Sequence, residues 1–404
     1  MFRRIGVDGL TLESTAAGGK AAIADVDRLV ASGHLPAAAQ MLEELLEAGH
    51  AAVAGDAAQW LKLAGLRRAL RQPRRALDAV HSALVVAPLD FMALVMRAGL
   101  LERLNDPAAG AAWGEALAQK PEGPLAPPLA AAVSAGEAYH ASWMEARDDR
   151  LAQAAATACG DADEDQAWRI ARFRSNILRK TRVYHSQPTH FHYPGLVERE
   201  FHPRSTTPWL AELEEGFEDI RREMRALVGS GRAELEPYIQ YEDREALAQW
   251  QPLNNNADWS AIHLLKQGIP VEGNAAMAPR TMELLSRVPQ PRVPGASPNA
   301  MFSLLAPRTA IPPHVGVDNT RLVCHLPLVV PEGCWFRVGA ETRFWREGEA
   351  FAFDDTMEHE ALNPSGSLRI VLIFDAWHPG LSEPERKAVA AMIASEGAPV
   401  QQVR

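Results

Sequence analysis

The pattern of apolar positions changes character near the middle of the chain. From Ala21 to about Leu117 they recur at helical spacing and are filled mostly by Ala and Leu. Trp60, Leu63 and Ala64 share one helix face. After a break at Gln72-Pro73, Ala76, Val80 and Ala83 line a second helix, which Pro88 ends. The small side chains at Ala76 and Ala83 predict two antiparallel helices in close approach. Fainter copies of the unit flank it, with Leu29, Gly33, Ala38 and Leu45 before it and Leu94, Ala98, Ala109 and Ala116 after it. A Pro-rich break from Pro121 to Pro128 precedes a long helical stretch from Leu129 to about Ala158, and a further helix runs to about Arg182. From Tyr184 the texture becomes aromatic and rich in Pro and His. An amphipathic helix carries Leu210, Leu213, Phe217, Ile220 and Met224, and Ala261–Gly268 alternates as a strand. Beyond the helix at Thr281–Val288 the chain reads as short strands split by Pro and Gly, with a helix at the C-terminal end.

These patterns predict an α+β chain of two domains. We expect a flexible arm over 1–20, all-α helical repeats over 21–160, a connecting helix over 161–183 and a β-rich domain over 184–404. The unit around Trp60 resembles the tetratricopeptide repeat, with Ala64 where that pattern has Gly. Stacked helix pairs of this kind need about three units to bury a continuous core, and the spacing supplies that number.

Composition narrows the function. The net charge of -10 argues against nucleic acid, which needs clustered Lys and Arg. The basic residues between Arg67 and Arg75 read as solvated helix surface. Cys159, Cys324 and Cys334 lack the spacing of a zinc site or a disulfide framework, so a reducing, cytoplasmic setting is expected. No stretch reaches the apolar length of a membrane span.

The candidate chemistry lies between Ser303 and His378. His314 follows two prolines at a strand end and precedes Val315-Gly316; His359 follows the strand at Glu349–Phe353. Imidazole suits divalent iron, zinc or copper, and two histidines with one carboxylate form the usual non-haem iron set. That carboxylate would stand at Gly316, which cannot ligate. Either histidine alone reads equally as a hydrogen-bonded core residue. Arg369 opens an apolar strand, where a cation requires an anion. Its partner is either a carboxylate ligand, to which Ser303 adds a hydroxyl, or a structural acid such as Asp375 or Asp354.

The ordered set of Pro312-Pro313-His314 with Gly316, then Asn319, Arg321 and His325, then Phe353-Asp354-Asp355 with His359-Glu360, Arg369 and Asp375-Ala376-Trp377-His378-Pro379, resembles the aspartyl/asparaginyl β-hydroxylase family. Tyr193-Pro194-Gly195-Leu196 adds to the likeness, which runs from about Gln187 to Pro379. The resemblance implies a double-stranded β-helix (jelly-roll) core and an iron(II)- and 2-oxoglutarate-dependent hydroxylase that modifies Asp or Asn side chains of a peptide or protein. It makes His314 and His359 the iron ligands, with no carboxylate required, and assigns Ser303 and Arg369 to the distal carboxylate of 2-oxoglutarate and His325 to its other end. The family carries an arginine at the position of Val323. Arg321 or Arg337 is the candidate to replace it, and Arg321 is taken as a co-substrate contact. Relatives act on lipids or small molecules. The competing readings are a non-catalytic helical-repeat adaptor and a cupin-like metal isomerase or binding protein, which would not need Arg369.

Overall fold

A computed structural model describes residues 22–48, 51–231, 233–241 and 248–396. The expected N-terminal arm lies outside the described residues. The chain divides into two compact units, Met1–Asp161 and Ala162–Arg404. The helix expected as a connector, Glu164–Ile177, therefore belongs to the second unit, where Arg172 pairs with Glu200 and Glu341.

In the first unit, helices at 22–31 and Leu35–Glu47, Ala57–Ala69 and Pro73–Val86, and Phe91–Arg103 and Ala109–Ala118 form three successive pairs, with a short turn of helix at Ala51–Ala54. The 32-residue helix Pro127–Ala158 follows. Local chemistry starts and stops these elements. Asp56 and Asp90 accept from the backbone N–H of Ala58 and Ala93, and Pro73 opens its helix where an N–H would have no partner. Ala64, Ala76, Val80 and Ala83 are fully buried, as their spacing predicts. Arg67 departs from expectation: its guanidinium is buried and bonded to Glu43 and Gln72, tying neighbouring helices together instead of facing water. No described helix is long and apolar enough to cross a membrane.

The second unit is built on two antiparallel sheets. Its strands are β1 (Leu235–Pro237), β2 (Trp259–Lys266), β3 (Ile269–Pro270), β4 (Ala300–Leu305), β5 (Thr309–His314), β6 (Arg321–Val329), β7 (Trp335–Val338), β8 (Glu341–Phe344), β9 (Phe351–Phe353), β10 (His359–Asn363) and β11 (Arg369–Trp377). The larger sheet runs β1-β2-β4-β11-β6-β9 with β3 on β2; the smaller runs β5-β10-β7-β8. Both faces of the larger sheet are covered. Leu322, Cys324, Leu326, Ile370, Leu372 and Phe374 meet the helices Leu210–Glu215, Phe217–Gly229 and Pro279–Arg287. The opposite face packs Trp259, Leu305, Val323 and Val371 against Ile311, Phe336, Val338 and Ala361 of the smaller sheet. Double coverage explains why β2 is buried almost throughout, although the sequence predicted simple alternation.

In the first unit, Gly136 lies against Trp113, where a Cβ would come 2.3 Å from the indole. Trp113 is buried and its Nε1–H is held by Glu102 at 2.8 Å, so the ring has little freedom to retreat. Gly136→Ala should cost about 1–3 kcal/mol. The check is a lower urea midpoint for the helical circular-dichroism signal.

Candidate active site

Period-two alternation on the central strands aims one set of side chains between the sheets. On β6 these are Arg321, Val323 and His325; on β11 they are Arg369, Ile373 and Asp375; on β4, Met301 and Ser303. They line a cavity of about 860 Å³, open mouth included, with His314, His359, Trp259, Phe336, Phe353 and Asp355.

His314 ends β5 and His359 begins β10, and the two are direct partners across the ladder. Their ring centroids lie 3.9 Å apart. Nδ1 of His314 bonds the Pro312 carbonyl at 2.8 Å, and Nδ1 of His359 bonds the Met357 carbonyl at 3.0 Å. A carbonyl only accepts, so each Nδ1 carries the proton and each Nε2 keeps its lone pair. Burial holds both rings neutral, pulling His359 down to about 4 and His314 well below the usual histidine value. Trp250, Phe336 and Phe353 pack around the pair at 5.1, 5.9 and 5.4 Å. Among the described residues no third His, Cys, Asp or Glu joins them in a group that could hold a metal ion. At Gly316, a Cβ would meet the Asp355 carboxylate at 2.2 Å. Asp355 thus fills the space that a carboxylate side chain at 316 would need.

Arg369 is buried at one end of the cavity. It makes no ion pair among the described residues, and its Nε has no hydrogen-bond partner. The two acids weighed as structural partners are engaged elsewhere: Asp375 with Arg321 and Asn299, and Asp354 with Thr356. Arg369 instead lies over the Trp345 ring at 4.7 Å. Burial lowers its pKa to about 10. Ser303, two positions away diagonally across the β4–β11 ladder, accepts from the Trp259 indole at 3.2 Å and keeps its own hydroxyl proton to donate. His325 is buried on the same wall among Phe336, Trp345, Phe351 and Phe353, and its Nδ1 has no partner. Burial first, and then the nearby Arg369 charge, keep it neutral.

Arg321 stands apart from this group. It pairs with Trp377 on β11, eight residues along the strand from Arg369, roughly 26 Å at the usual rise. Asp355 and Asp375 bracket its guanidinium at 3.1 and 3.4 Å. Arg337 is not among the residues that line the cavity and pairs with Glu358 and Glu360. Val323 pairs with Asp375, two residues from Arg321 on the same face of β6 and away from Arg369, so neither Arg321 nor Arg337 adds a second cation at the Arg369 end. The structure adds Trp259, Trp345 and Asp355 to the site. The only hint of the two tryptophans in the sequence was an aromatic within a polar or charged stretch, while Asp355 stood inside the quoted Asp-Asp pair.

A buried cation without an anion destabilises the ligand-free protein. The fall to about 10 corresponds to a penalty on the order of 3 kcal/mol at neutral pH. The sign follows from proton linkage: the folded form releases this proton first, so the penalty is complete below about 10 and fades as pH rises toward the unfolded value. Arg369→Met should therefore raise ligand-free stability by about 1–3 kcal/mol. Succinate, as a test dianion, should raise the melting temperature of the parent chain but not of this variant.

Residues 214–379 match the family model described as aspartyl/asparaginyl beta-hydroxylase. The chain is 33% identical over 187 residues to the human protein named aspartyl/asparaginyl beta-hydroxylase, a match covering 46% of this chain and 24% of that protein. It is 29% identical over 235 residues to aspartate beta-hydroxylase domain-containing protein 2 of Xenopus tropicalis, covering 56% of this chain and 61% of that one. It is also 29% identical to the ornithine lipid ester-linked acyl 2-hydroxylase of Rhizobium tropici, covering 56% of this chain and 75% of that one. The chain thus spans about a quarter of the human relative's length. Among solved structures, a type III secretion chaperone from Yersinia enterocolitica aligns with 34% of this chain and 96% of its own at 16% identity and a TM-score of 0.26, too loose a likeness to carry an argument. The motifs between Ser303 and Pro379 fall inside the family match, and residues 214–379 of this chain are similar to the aspartyl/asparaginyl beta-hydroxylase family.

Proposed function

We propose that the second unit is an iron(II)- and 2-oxoglutarate-dependent hydroxylase whose two sheets are those of a double-stranded β-helix. The observation that carries this reading is the buried Arg369 guanidinium, unpaired among the described residues, in the same cavity as two neutral imidazoles with free Nε2 lone pairs. The donor set fits the metal: neutral imidazole is a good ligand for iron(II), and each ring is already oriented by a backbone carbonyl. His314 and His359 would hold the iron. When bound, iron(II) with 2-oxoglutarate supplies the activation of oxygen needed to hydroxylate a C–H bond.

The chain's own residues position the reactants and keep water out. Arg369 supplies the charge for the distal carboxylate of the co-substrate, and the Ser303 hydroxyl donates to the same group. The other arginine that lines the cavity, Arg321, lies at its opposite end, so Arg369 carries that task alone. Trp345 supports the guanidinium from beneath, and His325 offers an imidazole to the end nearer the metal. The Phe336, Phe351 and Phe353 rings close the wall, where low polarity strengthens each charged contact.

The proposed substrate is an Asp or Asn side chain of a peptide or protein presented by tetratricopeptide-like repeats in the first unit, in the cytoplasm. The lipid hydroxylase among the relatives supports a lipid as the second reading. The test is 2-oxoglutarate turnover with added iron(II). His314→Ala and His359→Ala should each abolish it while circular dichroism stays unchanged. Arg369→Ala should raise the KM for 2-oxoglutarate by the equivalent of about 2–5 kcal/mol. Near-normal turnover in either histidine variant would overturn the assignment. A chain starting at Ala162 should retain 2-oxoglutarate binding and lose most hydroxylation of a protein substrate; equal hydroxylation by both chains would remove the repeats from substrate presentation.

A further inference from the structure

The cavity has two ends of opposite charge. At one, Arg369 has no acid beside it among the described residues. At the other, Arg321 sets one positive charge against three buried carboxylates, Asp318, Asp355 and Asp375. Two of the acids are held in place by neighbouring donors. Asp375 accepts from the backbone and side-chain N–H groups of Asn299 at 2.8 and 3.1 Å. Asp318 accepts from the Thr320 N–H and hydroxyl, both at 2.8 Å, and lines a side cavity that shares Asn299, Val317 and Arg321 with the main one.

Asp355 is different. One oxygen takes the Arg321 contact, while Oδ1 is buried and has no hydrogen-bond partner. The residue is only 7% exposed and lines the cavity. Among the described residues these acids form no group that could hold a metal ion. A buried carboxylate oxygen beside a cavity requires a donor, and the excess of acid at this end makes a second carboxylate there costly.

Building on the hydroxylase reading, we propose that this end receives a nitrogen-bearing group of the substrate, an amide or ammonium that donates N–H to Asp355, and disfavours a carboxylate. The arrangement selects an asparagine-like or amino-bearing substrate over an aspartate-like one. Arg321 itself is held firmly protonated by the surrounding acids. It holds the acids together, Nη2 donating to Asp355 and Nη1 standing 3.4 Å from Asp375.

The test uses the full chain and three blocked amino acids of nearly equal size: N-acetylasparagine amide, N-acetylaspartate amide and the N-acetyl amide of diaminobutyrate. Their binding is followed by saturation-transfer NMR, with and without 2-oxoglutarate, and turnover is measured separately. The amide and ammonium probes should bind about tenfold or more tightly than the aspartate probe. Asp318→Asn should narrow that gap, and so should Asp375→Asn, which keeps the proposal testable if one variant folds poorly. Equal or tighter binding of the aspartate probe, or no binding by any of the three, would overturn the charge assignment. A chain that consumes 2-oxoglutarate yet prefers the aspartate probe refutes this inference and leaves the hydroxylase reading intact. One that prefers the nitrogen probes but never consumes 2-oxoglutarate does the reverse.

Discussion

A charge taken out of water must meet an opposite charge, and Arg369 meets none among the described residues. The surroundings hold it in place all the same. Its strand is the centre of the larger sheet, bonded to β4 on one side and β6 on the other. The Trp345 ring lies against the guanidinium, and Ser303 stands on the adjacent strand. The fold tolerates the charge at a cost and keeps it fixed, which is the condition for binding an anion strongly without reorganising. The functional reading depends on this point, because the two histidines alone would be equally at home in a packed core.

The sheet converts sequence into site through its two-residue period. Strands β6 and β11 must be apolar on the face that meets the helices, and Leu322, Cys324, Leu326, Ile370, Leu372 and Phe374 satisfy that requirement. The alternate positions are then free to carry Arg321, His325, Arg369 and Asp375 into the space between the sheets. The smaller sheet supplies the imidazoles by pairing the end of β5 with the start of β10. Residues 45 positions apart in sequence thereby become ladder neighbours, His314 with His359.

Much of this was legible in the sequence because the motif residues sit on strands with clear boundaries. Pro312-Pro313 marked the end of β5, the apolar run after Arg369 marked β11, and the helical spacing around Trp60 marked the repeat unit. What stayed hidden depends on contacts between distant segments. The burial of Arg67 comes from Glu43 on an earlier helix. The neutralisation of Arg321 comes from Asp355 and Asp375 on two other segments of the fold, so a residue read as a co-substrate contact lies at the opposite end of the cavity. Trp345 follows a short edge strand, where nothing local shows that its ring will reach beneath Arg369. Side-chain periodicity tells which face a residue occupies, and only tertiary structure tells what shares that face.

The account places a metal on two imidazoles and an acidic co-substrate against Arg369 in one cavity. A crystal structure of the full chain grown with manganese(II) and 2-oxoglutarate tests this most directly. It should show the metal on Nε2 of His314 and Nε2 of His359, with the distal carboxylate on Arg369 and Ser303 and the other end directed toward His325. A metal bound away from this pair, or a 2-oxoglutarate carboxylate lodged against Arg321, would contradict it.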